Sequence, residues 1–412
     1  MRIGYLMQVG VPDMRVHPLS GPANHVKQVF NELQGLGHQV RLMAYMGGQI
    51  WQSDNLEDFE PISLPWIDKS PLWLLESAVR RVQSELHLPY LAFFESLRFA
   101  WACRQVFSGY DVFYERMGWV GYGGVLAADW LKTPLILEVN GDHLSELEML
   151  GIMPRGLQRR LSVSLMKQAL HRVSHVVATG EGWRQRFIER WGVSSDKVTV
   201  IENGSEIINL LTRDQLRAFS TPNSSKIITI IYVGAFEPWH GLTILVKAVA
   251  AAIPKGVILR LVLVGSGSCK DTIELLIHEL GIENHIVLTG QLSPHQFAAH
   301  LAEADIGVSP YCGRVEYSGL KLLDYKSAGL AVIASGEKDQ PAVLKHGSTG
   351  WIVSPCDEDA LRDAIVHLAI NVDLRQRIGR QARIEAETYH SWKHTAEQLE
   401  QLFKKVITTF SR

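Results

Sequence analysis

What most limits the fold of this chain is a rhythm that runs through it twice. Short apolar, β-branched or aromatic runs close at Gly, Asn or Pro: "RIGYLM", "HQVRLMAY", "DVFYER", "TPLILEV", "SHVVAT" and "KVTVIENG". Stretches of helical length and period lie between them, as at residues 24–36 and 120–130. The rhythm then restarts with "KIITIIYVG", "VILRLVLVG", "HIVLTG", "DIGVSPY", "LAVIAS" and "GWIVSP". Runs that are apolar at nearly every position fit strands covered on both faces, and helical crossovers supply that cover. Two rounds of alternation predict two α/β units, each built on a parallel sheet.

A length of 412 residues suits two domains. Residues 206–225, ending "FSTPNSS", are polar and carry Pro, and read as a linker. The expected division is 1–205, a linker at 206–225, 226–390, and a closing helix at 391–412 that has no strand left to serve. A net charge of −2 gives no support to a nucleic-acid-binding domain. Cys103, Cys269, Cys312 and Cys356 are scattered without a C-x-x-C, so neither disulfides nor structural zinc are expected and a reducing compartment fits. The opening "MRIGYLMQVG" is too short an apolar run for a secretory signal, and no run of apolar residues is long enough to span a bilayer. A cytoplasmic location is expected, with peripheral membrane contact left open.

In open parallel sheets, ligands collect at the carboxyl ends of strands. "LVLVGSGSCK" is a strand, a Gly-rich turn and a helix start. Gly265 and Gly267 would let backbone approach a phosphate, or would simply make a tight turn. Lys270 stands where the third Gly of a dinucleotide fingerprint belongs. "YVGAFEPWHGL" has the same layout, with Gly234 after the strand and His240 projected from the start of the next helix. "RVEYSGLKLLDYKSAG" follows another strand. Gly319 opens a helix whose free N–H groups favour an anion by roughly 0.3–2 kcal/mol. Lys321 in its first turn adds a full charge. Glu316 before the helix and Asp324 inside it bracket that anion site and can accept hydrogen bonds from hydroxyls. In the first half, "SGPANHVKQVF" opens a helix, where His25 either faces a cleft or caps its own helix. "YERMG", "LEVNGDHLSE" with Asn140, Asp142 and His143, and "IENGSE" end further strands in polar clusters. Such clusters suit a cleft, and equally suit turns.

Together these pieces resemble the retaining glycosyltransferases of family 4, which have the GT-B fold. The resemblance covers nearly the whole chain and is strongest over residues 232–329. "VGAFEPWHG" looks like the family's strand–turn–helix at the donor diphosphate, and "EYSGLKLLDYKSAGLAVIAS" like its E-x7-E segment. "GPANHVKQVFNELQGLGHQV" is similar to its Gly-loop, helix and G-H-x-V strand, and "IENGSE" to its N-G pattern near the hinge. "SW" at Ser391–Trp392 looks like the start of a helix that crosses back to the first domain. Here Asp324 replaces the usual second Glu, Ala235 and His240 occupy the positions of an Arg and a Lys, and Asn140 stands where the family has a His. A subset of the family reads W-H-G as this chain does. Lys321 is inferred to supply the charge that Ala235 does not.

The resemblance implies two Rossmann-like domains facing across a cleft, with the first binding acceptor and the second binding donor. It implies transfer of a sugar from a nucleotide diphosphate sugar to a hydroxyl, with retained configuration and no metal. Glu316, His240, Lys321 and Asn140 would do the chemistry. Gly21, Gly234, Gly265, Gly267, Ser318, Gly319, Leu320 and Asp324 would hold the donor, with Asp324 on the ribose. Activity is expected to be sensitive to pH near the range where His240 titrates. The acceptor would be a glycan, a lipid-linked molecule or a small hydroxyl compound. Large apolar residues and arginines at 70–107, and eight Lys/Arg against two acids at 155–190, suit an anionic bilayer surface or a solvated helix face equally. Three competing readings rest on the same residues. A non-catalytic nucleotide-sugar-binding partner subunit is favoured by Asp324, Ala235 and Asn140. A nucleotide-sugar epimerase would share the architecture. A glycosidase pair of Glu316 and Asp324 fits phosphate-binding turns poorly.

Overall fold

The structure is a computed structural model that describes residues 1–16, 19–64, 71–86, 91–149, 151–219, 227–312, 319–337 and 341–410. It contains two compact units, one made of residues 1–201 with 396 onward, the other of residues 202–395.

The first unit is built on β1 (Arg2–Met7), β2 (Gln39–Met46), β3 (Gln49–Ser53), β4 (Glu60–Pro61), β5 (Val112–Arg116), β6 (Leu135–Val139), β7 (His175–Ala178) and β8 (Val198–Val200). Their order is β4-β3-β2-β1-β5-β6-β7-β8. From β2 to β8 every pairing is parallel. The strands β1, β5 and β6 lie in the middle and are buried almost throughout, which explains their continuous apolar runs. The expectation of a purely parallel sheet is corrected at one edge, where β3 and β4 run antiparallel. Gly47 and Gly48 both adopt positive φ, at 58° and 81°, and this pair makes the tight hairpin between β2 and β3.

The second unit contains β9 (Ile227–Val233), β10 (Ile258–Val264), β11 (Ile286–Gly290), β12 (Ile306–Ser309), β13 (Ala331–Ser335) and β14 (Trp351–Val353). All are parallel, in the order β11-β10-β9-β12-β13-β14. Alternate residues of β9 feed opposite faces. Ile228, Ile230 and Tyr232 join one apolar cluster, while Ile231 joins the other. The chain winds outward from β9 to one side, then restarts at β12 on the other. The carboxyl ends of β9 and β12 are therefore a topological switch point, the place where such sheets leave a crevice.

Two expectations are corrected here. The stretch read as a linker is partly built into the second unit. Ile207, Leu211 and Leu216 are buried in one of its cores, beside Ile231 and Leu322. The Arg383 guanidinium donates to the carbonyls of Ile208 and Leu211, at 3.2 and 2.9 Å. Spaced single apolar residues among polar ones carried that packing, and composition alone hid it. Cys312 and Cys356 form a disulfide, with Cα atoms 4.8 Å apart. The partners lie 44 positions apart in sequence, so no local spacing announced them. Cys103 and Cys269 are free.

The closing helix, Trp392–Phe410, belongs to the first unit from Ala396 onward. Leu399, Leu402, Phe403 and Val406 are buried, and the Phe403 ring lies 5.4 Å from that of Tyr114.

Candidate functional site

At the switch point of the second sheet, two glycine turns brace each other. Gly234 follows β9 and Gly265 follows β10. A Cβ on Gly265 would sit 1.9 Å from the Gly234 carbonyl oxygen, and φ at Gly265 is +137°. Only glycine fits. Phe236 N–H donates to the Ser266 carbonyl at 3.0 Å, and Cys269 N–H to the Phe236 carbonyl at 2.8 Å. Gly267 lies against the Phe236 backbone in the same way. Neighbouring backbone accounts for both Gly265 and Gly267, and the helix beyond them starts only at Lys270.

The turn Pro238–His240 comes next, strapped to the segment after β12. Cys312 N–H donates to the Trp239 carbonyl at 3.0 Å, and a Cβ on Gly241 would meet the Pro310 carbonyl at 1.8 Å. This strapping brings His240 to Tyr311, whose hydroxyl is 3.0 Å from the imidazole Nε2. The Nδ1 atom lies against the Ala235 carbonyl and 2.9 Å from the Tyr232 hydroxyl. A carbonyl only accepts, so Nδ1 carries a hydrogen, and in the neutral ring Nε2 accepts from Tyr311. His240 thus sits in the turn ahead of its helix, with both nitrogens engaged, rather than projecting from the helix end.

The helix Leu320–Ser327 starts at Gly319 and stands across from this turn. Lys321, in the first turn, places its ammonium 4.7 Å from the ring centroids of both Tyr232 and Tyr311. Its Nζ is 3.4 Å from the Tyr232 hydroxyl. One turn further, Asp324 accepts from the Ser205 hydroxyl at 2.6 Å. Burial pushes its carboxyl up to about 7, more than the Ser205 hydrogen bond pulls it down. Glu316 and Ser318 lie outside the described residues.

The remaining candidates belong to the first unit. Gly21 opens the helix Gly21–Gly35, whose cap is Ser20. His25 is neither that cap nor open to solvent. Its Nε2 lies 3.0 Å from the Glu138 carboxylate, and both groups are buried. The Asn140 amide and Tyr114 hydroxyl also donate to Glu138, and Arg116 lies 3.7 Å away. Burial would raise the Glu138 carboxyl, but the His25 charge and hydrogen bond lead the opposing contributions and hold it at about 2. Asn140 is therefore engaged by a buried carboxylate. His143 Nε2–H donates to the Met117 carbonyl at 3.0 Å. The arginines read as a basic surface are largely paired: Arg80 and Arg98 with Glu76, and Arg186 and Arg190 with the buried Asp142.

Residues 213–385 match the family model described as glycosyl transferases group 1, and residues 20–204 match the glycosyl transferase 4-like domain. The chain belongs to the group 1 glycosyl transferases.

Among curated relatives, the D-inositol 3-phosphate glycosyltransferase of Corynebacterium glutamicum is 28% identical over 316 residues, covering 72% of this chain and 73% of that protein. The phosphatidyl-myo-inositol mannosyltransferase of Mycobacterium leprae is 30% identical over 243 residues, covering 56% of this chain and 62% of the relative. The solved structure of Anabaena Alr3699/HepE in complex with UDP and glucose has a TM-score of 0.68, with 17% identity over 98% of this chain and 99% of the other. The fold is GT-B, with two Rossmann-like α/β domains.

In this glycosyltransferase, Gly234, Gly319, Leu320, His240, Lys321 and Asp324 gather at one sheet edge. Sequence reasoning missed Tyr232, Tyr311 and Ser205. Tyr232 and Tyr311 read as ordinary aromatic strand residues, and Ser205 as a turn former. Glu138 had a usable signal, a lone acid in the fully buried run "LILEV". Among the described residues, no group of three or more His, Cys, Asp and Glu could hold a metal ion.

Proposed function

We propose that this glycosyltransferase moves a hexose from a nucleotide diphosphate sugar to a hydroxyl acceptor, with retention and without a metal, in glycoconjugate synthesis. The observation that carries the reading is the Lys321 ammonium and His240 held by the same two tyrosines, at a helix start and a sheet switch point. Departure of the diphosphate is the hard step, and preorganised charge aimed at it lowers the barrier. Lys321 and the first-turn N–H groups after Gly319 supply that charge. Glu316 and Ser318 would hold the sugar, and Asp324 the ribose. Gly234, Gly265 and Gly267 shape the floor on which the donor lies. The leaving phosphate would take the proton of the incoming hydroxyl, and the Lys321 ammonium with the first-turn N–H groups would neutralise its charge in place of a metal.

The solved relative holds UDP and glucose, and another relative is named for a phosphatidylinositol acceptor, which supports a nucleotide-sugar donor and a lipid-linked or glycan acceptor. We place the protein on the cytoplasmic side of a membrane, in peripheral contact with anionic lipid. The helix Gly156–Arg172 supports that contact, because it has no acidic residue and exposes Leu157 and Leu161 beside Arg159, Arg160 and Lys167. Among the described residues no helix is long and apolar enough to cross a membrane.

The test is a thermal-shift panel of UDP-, GDP- and ADP-sugars against wild type, Lys321→Ala and Asp324→Ala. One nucleotide class should raise the wild-type melting temperature, and both variants should weaken the shift. Lys321→Ala should also slow donor hydrolysis by roughly 10²–10³-fold, as loss of one aimed donor does elsewhere. A wild type indifferent to every nucleotide sugar would sink the proposal.

A further inference from the structure

We infer that Tyr232 and Tyr311 are positioning residues that lock His240 and Lys321 into one preorganised cationic unit, in which the imidazole acts through the tyrosines and the ammonium meets the donor's diphosphate. The inference rests on the donor-site reading above and adds the parts that make it rigid.

A lysine brings a compact charge on a flexible stem of four carbons, and ordering it costs rotamer freedom. Left in water it would be a poorly aimed charge. Here the ammonium lies over two tyrosine faces, at 4.7 Å from each centroid. Each face attracts it through the negative potential of the ring. The two rings come from different strand ends, Tyr232 from β9 and Tyr311 from just past β12. They can flank one cation only because those strands are neighbours at the switch point. The aromatic clamp therefore repays the lysine's lost freedom before any ligand arrives.

The tyrosines are fixed in turn by His240. Tyr232 donates to the Ala235 carbonyl at 2.7 Å and lies 2.9 Å from Nδ1. Tyr311 meets Nε2 at 3.0 Å, with ring centroids 4.8 Å apart. Nδ1 lies against a carbonyl and Nε2 against the Tyr311 hydroxyl, so both imidazole nitrogens are engaged and Nε2 reaches outward through Tyr311. Its influence passes through the Tyr311 hydroxyl. Protonation of Nε2 reverses that hydrogen bond, so that Tyr311 accepts and its own hydrogen is released toward the ligand side. The titration of His240 would then appear in the rate through Tyr311.

The inference predicts that loss of ring and loss of hydroxyl separate. Tyr311→Phe keeps the face over Lys321 and removes the hydroxyl, so affinity for UDP, GDP or ADP should stay within about two-fold while the pH profile of donor hydrolysis loses the His240 inflection. Tyr311→Leu removes the face and should weaken binding of the same nucleotide by roughly ten-fold. Tyr311→Trp restores a face and should recover binding without restoring the pH inflection. Calorimetry with each nucleoside diphosphate, and hydrolysis of the corresponding donor from pH 5.5 to 8.5, read these out. Wild-type binding tests the donor site, and the Tyr311 series tests the clamp. If wild type binds while Tyr311→Leu binds equally well, or Tyr311→Phe keeps the wild-type pH profile, the inference is overturned. If wild type binds nothing, the donor reading fails and takes the clamp with it. If Tyr311→Leu does not fold, the Tyr311→Phe pH profile still decides, since that variant keeps the ring.

Discussion

Asp324 shows how a single carboxyl gains a second identity from a distant hydroxyl. Its place in "EYSGLKLLDYKSAG" was legible from the helix start and the spacing to Glu316. Its partner Ser205 lies 119 positions away and was not. The folded carboxyl titrates at about 7, against 3.8 for an ordinary Asp. The folded chain therefore binds a proton that the unfolded chain has already lost. This group's contribution to stability is full below the ordinary carboxyl range and is lost as pH rises through about 7. Asp324→Asn, which cannot ionise, should flatten the fall in melting temperature of the second unit between pH 5 and pH 8. An unchanged slope would show that Asp324 is already ionised at pH 5. Nearby, nothing in the sequence singles out Lys326. It is fully buried, bonded to the Val343 carbonyl at 2.6 Å and to Glu385 at 2.8 Å. Lys326→Met should destabilise by about 3–5 kcal/mol in urea titrations, because Glu385 and that carbonyl lose their buried partner.

At the level of elements, the glycine turns have a cause that the sequence did not show. Gly265 and Gly267 read as points where backbone could approach a ligand, and the structure sets the backbone of the neighbouring turn, at Gly234 and Phe236, against them. Gly265→Ala would force a Cβ to within 1.9 Å of the Gly234 carbonyl oxygen. The expected result is a cost of several kcal/mol or displacement of the Gly234 turn, and with it Tyr232 and Lys321. Nucleotide binding should fall along with stability. Equal loss is not expected for Gly281→Ala, whose Cβ would meet nothing within 4 Å and whose positive φ costs only about 1–2 kcal/mol. Comparing the two by melting temperature isolates the contact from the dihedral. The strands themselves were legible because burial on both faces leaves long apolar runs. The β2–β3 hairpin escaped because β3 is half-buried and short, so its pattern resembles a loop.

For the molecule as a whole, two units imply two unfolding transitions rather than one. Phe403 is buried in the first unit though it lies near the carboxyl end of the chain, so Phe403→Ala should lower only that unit's transition, by about 3–5 kcal/mol. Reduction of the Cys312–Cys356 bridge, or Cys356→Ser, should lower only the other, by roughly 2–4 kcal/mol for a closed loop of this size. A nucleotide that protects one transition identifies it as the second unit. Coincident shifts in all cases would mean that the units unfold together. The sequence by itself determined two α/β units built on mainly parallel sheets, and put His240, Lys321 and Asp324 just after strands of the second. These follow from local rules: periodicity, turn chemistry and helix ends. Only the tertiary structure decided that two tyrosines flank the lysine, that Ser205 reaches Asp324, that Glu138 is the hub of a buried network, and that Cys312 meets Cys356. Each of those facts joins residues remote in sequence, and strand order rather than strand content brings them together.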